Sequence, residues 1–155
     1  MSHVVARWAH LYNSSKVVST AVTYVHFAGM LVGGGFAVVA DRDAFRLSPQ
    51  ALAASPEELG NLAAVHVWVI CGLAVVFVSG VLMMLADLHT YATSPVFWTK
   101  MGLVALLLGN GYGRMRAEAA VRDGTAAAWT WLRRTSVASL ILWLSVLLAS
   151  TILNS

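Results

Sequence analysis

Three ionisable side chains stand inside apolar stretches of this sequence: His26, His66 and Lys100. A charged group at the centre of a bilayer costs ~2.5–3.5 kcal/mol on insertion scales, so such groups mark functional positions by default. An imidazole there can ligate a metal or a haem iron. An ammonium can pair with haem propionates, or act as an axial ligand once deprotonated. His26 lies on a stripe of Ser19, Thr23, His26, Met30, Gly33 and Ala37, whose spacing of threes and fours is one helix face. That face is small and polar and should point at other helices. It suits either a packing histidine hydrogen-bonded across helices or a ligand histidine. Gly29 and Gly33 form a GxxxG pair, and Gly33-Gly34-Gly35 thins the same region. Close helix packing and room for a flat cofactor both account for it. Lys100, Leu103, Leu107, Asn110 and Arg114 share a face of a later segment, and Lys100 is near enough to its end to snorkel. His66 beside Trp68, and His89 near Asp87 and Tyr91, read as an interfacial and a turn histidine or as further ligands. His3 and His10 read as interface residues.

The elements that must position these groups follow from composition. The chain is 59% hydrophobic and only 11% charged, with mean hydropathy +0.73. A soluble domain carries about 25% charged residues, so there is too little charge here to cover a water-facing globule. A spanning helix needs ~20 mostly apolar residues. Four runs qualify: about Val17–Val39, Leu62–Ala86, Val96–Gly113 and Ser136–Leu153. The expected fold is all-α, an integral membrane bundle of four transmembrane helices in a single domain, residues 1–155. Residues 3–12, with Val4, Val5, Trp8, Leu11 and Tyr12, add a short N-terminal amphipathic segment at the interface. Asp41–Asn61 reads as a polar loop. Within it, Ser55-Pro56-Glu57-Glu58 opens the second helix with a serine cap, a first-turn proline and acids near the positive dipole end. Asp87–Pro95 reads as a short turn and Arg114–Arg134 as a basic, partly helical connection. The N-terminal stretch has no long apolar core before a small-residue cleavage site, so no removable signal peptide is expected. The single Cys71 lies in an apolar run and reads as a buried, inert thiol.

Lysine and arginine set the expected orientation. With four spans, the first and third connections share one side and hold seven: Arg42, Arg46, Arg114, Arg116, Arg122, Arg133 and Arg134. The other side holds three, Arg7, Lys16 and Lys100. The basic side is normally cytoplasmic, which places both termini outside a bacterial inner membrane. Topology thus explains the pI of about 9.4 without a nucleic-acid partner.

Depth separates the candidate ligands. At ~1.5 Å per residue, His26 lies roughly 10–13 Å below the outer surface and His66 roughly 6 Å above the inner one. In a core ~30 Å thick they are a poor pair for one haem. His26 with Lys100, or with His89, is easier. Met30, Met83, Met84 and Met101 offer a rival, since thioethers with imidazole suit Cu(I). The sequence carries no P-loop, HExxH, nucleophile elbow, paired-carboxylate site or dinucleotide fingerprint, so hydrolytic and phosphoryl-transfer chemistry has no support.

Several segments resemble a group of small bacterial four-helix membrane proteins. They are Tyr24-Val25-His26-Phe27-Ala28-Gly29 with the Ala40-Asp41-Arg42 exit, Ser94-Pro95-Val96-Phe97-Trp98-Thr99-Lys100-Met101-Gly102-Leu103 leading to Asn110, and Ala138-Ser139-Leu140-Ile141-Leu142-Trp143. The group is similar to the copper-resistance membrane proteins and to the four-helix membrane protoporphyrinogen oxidases. In the latter a first-helix histidine and a third-helix lysine are associated with haem b. The resemblance maps these onto His26 and Lys100. The chain lacks that family's aromatic and arginine cluster after the first helix and its histidine closing the third. The resemblance therefore implies haem binding rather than the oxidase activity. The expectation is a membrane haem-b-binding, cytochrome-like electron-transfer protein, alone or as a subunit of a larger membrane redox complex. The alternatives are a cofactor-free accessory subunit of a respiratory or photosynthetic complex, for which Ser136, Ser139, Trp143, Val146 and Ser150 would serve lateral contacts, and copper handling.

Overall fold

The computed structural model describes residues 3–46, 56–123 and 126–153, and they are helical almost throughout. The elements are α1 (His3–Ser14), α2 (Lys16–Arg46), α3 (Pro56–Ala86), α4 (Leu88–Thr93), α5 (Pro95–Arg122) and α6 (Ala126–Leu153). Local signals place several of the ends. The Ser94 side chain accepts the Phe97 backbone N–H at 3.3 Å with Pro95 in the first turn, which starts α5. Asp87 accepts the Thr90 N–H at 3.2 Å, so a one-and-a-half-turn helix stands where a plain turn was expected. Hydrogen bonding from Thr90, side chain first and then backbone, holds the Asp87 carboxyl below its usual range. Pro56 begins α3 as expected. The proposed Ser55 cap lies outside the described residues.

One expected connection is corrected and the helical part of a second is now placed. The polar stretch expected to leave the helix at Asp41 continues helical to Arg46. Ala40 and Ala44 are buried along the same stripe as His26, and Asp41 finds a guanidinium, so the helix has reason to continue. The basic Arg114–Arg134 stretch is helical to Arg122 and again from Ala126. There Ala117, Val121, Ala128 and Leu132 pack with Ala44 into a small apolar cluster beyond the expected spans.

Among the described residues, three helices are long and apolar enough to cross a membrane: Lys16–Arg46, Ala64–Ala86 and Ala127–Leu153, with mean hydropathies of 1.6, 2.7 and 2.2. Only 28%, 28% and 33% of these apolar windows is buried within the molecule. The remainder, with Leu31, Phe77, Ile141, Leu144 and Leu148 outermost, needs apolar surroundings, and Cys71, expected to be buried, is exposed on this outer surface of α3 instead. The α5 helix is less apolar because it carries Lys100, Asn110, Arg114 and Glu118, yet it turns these inward and Trp98, Leu106, Leu108 and Met115 outward. Outside the bundle, α1 has no buried residue but is tied to the end of α3. Trp8 Nε1–H donates to the Leu82 carbonyl at 2.8 Å and the Asn13 amide donates to Ala86 at 3.3 Å.

The bundle is held by α2 packed on α3 and on α6, and by α5 packed on α6. The α2–α3 crossing is built on glycine. A Cβ placed on Gly72 would lie 2.5 Å from Gly33 Cα and 2.9 Å from the Gly29 carbonyl oxygen, so only hydrogen fits there. The glycines also make room for a flat ring, and that ring is the protein's own. A Cβ on Gly33 or Gly34 would meet the Trp143 indole at 3.2 or 3.3 Å. This corrects the expected role of the α6 face, because Ser136, Ser139, Trp143, Val146 and Ser150 are all buried inside the bundle and not presented laterally. The remaining pair, α3 and α5, face each other across a cleft.

Candidate functional site

The cleft holds two chambers. One, of 310 Å³, lies toward the α1 and α4 end and is lined by His26, Lys100, Met83, Met84, Met101 and Phe97 among others. The second, of 240 Å³, lies toward the arginine-rich end and is lined by His66, Asn110, Arg114, Ser139 and apolar side chains. Leu73, Leu107, Leu108 and Trp143 line both; Leu73, Leu107 and Trp143 stand between them, and Leu108 borders both from the outer edge. We call them the upper and lower chambers.

At the upper chamber α2, α3 and α5 bring three polar groups into line. His26 is 2% exposed and Lys100 6%. Lys100 Nζ lies 3.1 Å from His26 Nε2, and His26 Nδ1 lies 2.9 Å from Ser79 Oγ. The proton assignment follows from bookkeeping. An ammonium has donors only, so Nε2 must accept. Ser79 Oγ sits 2.6 Å from the Val75 carbonyl and spends its own proton there, leaving a lone pair for an Nδ1–H. His26 is thus the Nδ1–H tautomer with its basic nitrogen turned toward Lys100. This matches the arrangement of a metal-ligating histidine, whose second nitrogen is fixed by a hydrogen bond. Gly80 lies beside the ring, where a Cβ would make an ordinary contact 3.4 Å from His26 Cε1.

At the lower chamber four ionisable groups from three helices converge. Arg114 on α5 pairs through Nη1 with Asp41 Oδ1 of α2, donates through Nη2 to the Ala40 carbonyl at 2.9 Å, and through Nε to Glu118 Oε1 at 3.0 Å. His66 Nε2 of α3 lies 2.8 Å from Glu118 Oε2. Asp41 is fully buried, and its second oxygen has no hydrogen-bond partner among the described residues. Two carboxylates against one guanidinium leave one negative charge, which a proton on His66 would cancel. The His66–Glu118 bond is the one side-chain hydrogen bond that spans the cleft from α3 to α5 among the described residues.

The structure therefore brings His26 and Lys100 together and separates the other two candidates from them. His66 meets Glu118, ~27 Å along α5 from Lys100 at the rise of a helix. His89 is exposed on α4. Met83, Met84 and Met101 line the upper chamber with His26, whereas Met30 does not line it and is buried against Val76 and Val146 of its wall. No group of three or more His, Cys, Asp or Glu side chains suited to a metal occurs among the described residues. Asp41 and Glu118 were missed in the sequence, although each carried a signal. Asp41 continues the buried stripe of Gly33 and Ala37, and Glu118 stands four residues after Arg114. Among protein-family models, curated proteins and solved structures, none matches this chain.

Proposed function

We propose that this chain is a membrane haem-b-binding protein of the cytochrome-like, electron-transferring kind, with His26 as axial ligand in the upper chamber. The observation that carries the reading is the His26–Lys100 contact, a buried imidazole whose basic nitrogen accepts from a buried cation, both lining an otherwise apolar cavity. His26 Nε2 is the nitrogen an iron would take, because Ser79 already holds Nδ1. Lys100 would offer its ammonium to an acidic edge of the macrocycle, and the apolar walls would exclude water. Haem bound there supplies one-electron transfer, which suits a single-subunit carrier or a subunit of a larger redox complex. On this reading α5 is a fourth span, the chain lies in a bacterial inner membrane, and both termini face outward.

The test is an absorption spectrum of detergent-purified protein, oxidised and then dithionite-reduced. A Soret band with an α band that sharpens on reduction is expected, and His26→Ala should abolish or shift both. Protein that stays colourless after expression with ample haem would overturn the reading and favour a cofactor-free accessory subunit. One observation favours a second reading, copper handling: Met83, Met84 and Met101 stand in the same chamber as His26. It predicts stoichiometric copper without a Soret band, lost in His26→Ala.

A further inference from the structure

The lower chamber has no part in haem ligation, yet it has features of a built site. Its lips are apolar and outward-facing, with Ile70 on α3 and Leu108 and Tyr112 on α5 each more than half exposed. Any occupant therefore enters sideways from an apolar phase and must itself be lipid-soluble. Inside, the walls are Val69, Leu73, Leu107 and the Trp143 indole, with polar groups at a few points. Ser139 is one of these. It is 6% exposed and lines the chamber, so its hydroxyl is available to an occupant. Asn110 on α5 uses one N–H on the Thr135 carbonyl at 2.9 Å and keeps its amide oxygen and second N–H. His66 closes the far side from α3 with its second ring nitrogen beyond the Glu118 bond.

Charge narrows the class of occupant. The one permanent cation lining this chamber among the described residues, Arg114, is already bonded to Asp41, Glu118 and the Ala40 carbonyl. A phosphate headgroup or a carboxylate would have to compete with two carboxylates for that guanidinium. A neutral head that accepts and donates hydrogen bonds suits the walls. A volume of 240 Å³ is room for one substituted ring, below the ~300 Å³ at which drug-sized pockets begin. We propose that the lower chamber binds the ring of a lipid-soluble quinone, its carbonyl oxygens accepting from Ser139 and from Asn110 or His66 and its apolar tail leaving between α3 and α5. The proposal is independent of haem in the upper chamber.

The test uses full-length protein in phosphatidylcholine nanodiscs, titrated with a short-tailed benzoquinone and read by quenching of tryptophan fluorescence. Empty nanodiscs and the Trp143→Phe variant give the background. Saturable quenching that depends on Trp143 is expected. Ser139→Ala, which removes one oxygen, should weaken binding by about tenfold, the upper end for loss of one hydrogen bond. Gly111→Leu should abolish it, because a Cβ on Gly111 meets nothing within 4 Å and the added side chain can occupy the chamber. His26→Ala should retain quinone binding whether or not the wild type is coloured, so the two readings fail separately. Quenching that rises without saturation, or saturable binding unchanged in both Ser139→Ala and Gly111→Leu, would overturn the proposal. Ligand-free protein with a phospholipid retained in the cleft, displaced by Gly111→Leu but not by quinone, would overturn it as well.

Discussion

Two polar clusters govern this molecule at the scale of single residues, and they differ in kind. In the Ser79–His26–Lys100 line both ring nitrogens of His26 are satisfied without an outside partner, but only because Lys100 caps the lone pair on Nε2. A ligand that takes Nε2 need only displace one flexible side chain. The Asp41–Arg114–Glu118–His66 cluster cannot be opened so cheaply. Removing one partner of a buried ion pair leaves an uncompensated charge and costs ~3–5 kcal/mol, whereas removing both partners together can be close to neutral. Arg114→Met should therefore lower stability by ~3–5 kcal/mol, and Asp41→Asn placed on top should restore a substantial part. Thermal unfolding of the two single variants and the double variant in detergent measures the coupling. Strict additivity of the single effects would mean that the guanidinium and the carboxylate do not act as a pair. The upper cluster was readable in the sequence because His26 and Lys100 stand out against apolar neighbours. The lower one was not, since Asp41 sits in a run with Arg42, Asp43 and Arg46 that resembles a loop, and Glu118 sits among arginines. Burial by a distant helix decides such residues, and periodicity within one segment does not report it.

The helices show the same division at the scale of elements. The α2–α3 pair is specified locally, because Gly29 and Gly33 make a surface on which only another small residue can rest. The sequence showed that surface but not its partner. Gly72 lies in an apolar run where nothing distinguishes it from Gly80, and the ring that fills the glycine notch comes from α6. The apolar spans were legible by length and hydropathy, while the helix ends were not. Where α5 and α6 pass beyond the apolar zone, their helicity rests on Ala117, Val121, Ala128 and Leu132 packing together, a tertiary effect. The glycine crossing yields a paired expectation. Gly72→Ala puts a methyl group 2.5 Å from the Gly33 backbone, which no side-chain rotation can relieve, so α2 and α3 must part. A cost of ~1–3 kcal/mol is typical of such overpacking. Gly35→Ala meets nothing within 4 Å and replaces the poorest ordinary helix former with the best, a gain of ~0.8–1 kcal/mol in a helix interior. The melting temperatures of the two variants should move in opposite directions. A loss in both would show that Gly35 faces a surface outside this chain.

The whole molecule has two dissimilar ends, and they bear on how many times the chain crosses. At one end lie α1 and α4, with Trp8 donating to Leu82, Trp98 donating to Ala92 at 2.9 Å, and the Tyr91 and Phe97 rings in edge contact at 5.6 Å. Tryptophan and tyrosine with a short flanking helix are what an interface accommodates. At the other end lie Arg114 and Arg116 on α5 and Arg133 and Arg134 on α6. The number of crossings turns on α5, whose buried polar groups lower its hydropathy although its outward face is apolar. If it crosses, Thr90 before it and Asp123 after it stand on opposite sides. Both are exposed, so both can be labelled. In a Cys71→Ser background, Thr90→Cys should react with a membrane-impermeant maleimide in intact cells. Asp123→Cys should react only after the membrane is permeabilised. If both cysteines react in intact cells, α5 does not separate them and the bundle has three spans. In that case Lys100 and Arg114 would lie at one face of the bilayer, and a cleft opening into its core between α3 and α5 could not exist. The labelling pattern thus fixes the topology and also decides whether either chamber is reached through lipid.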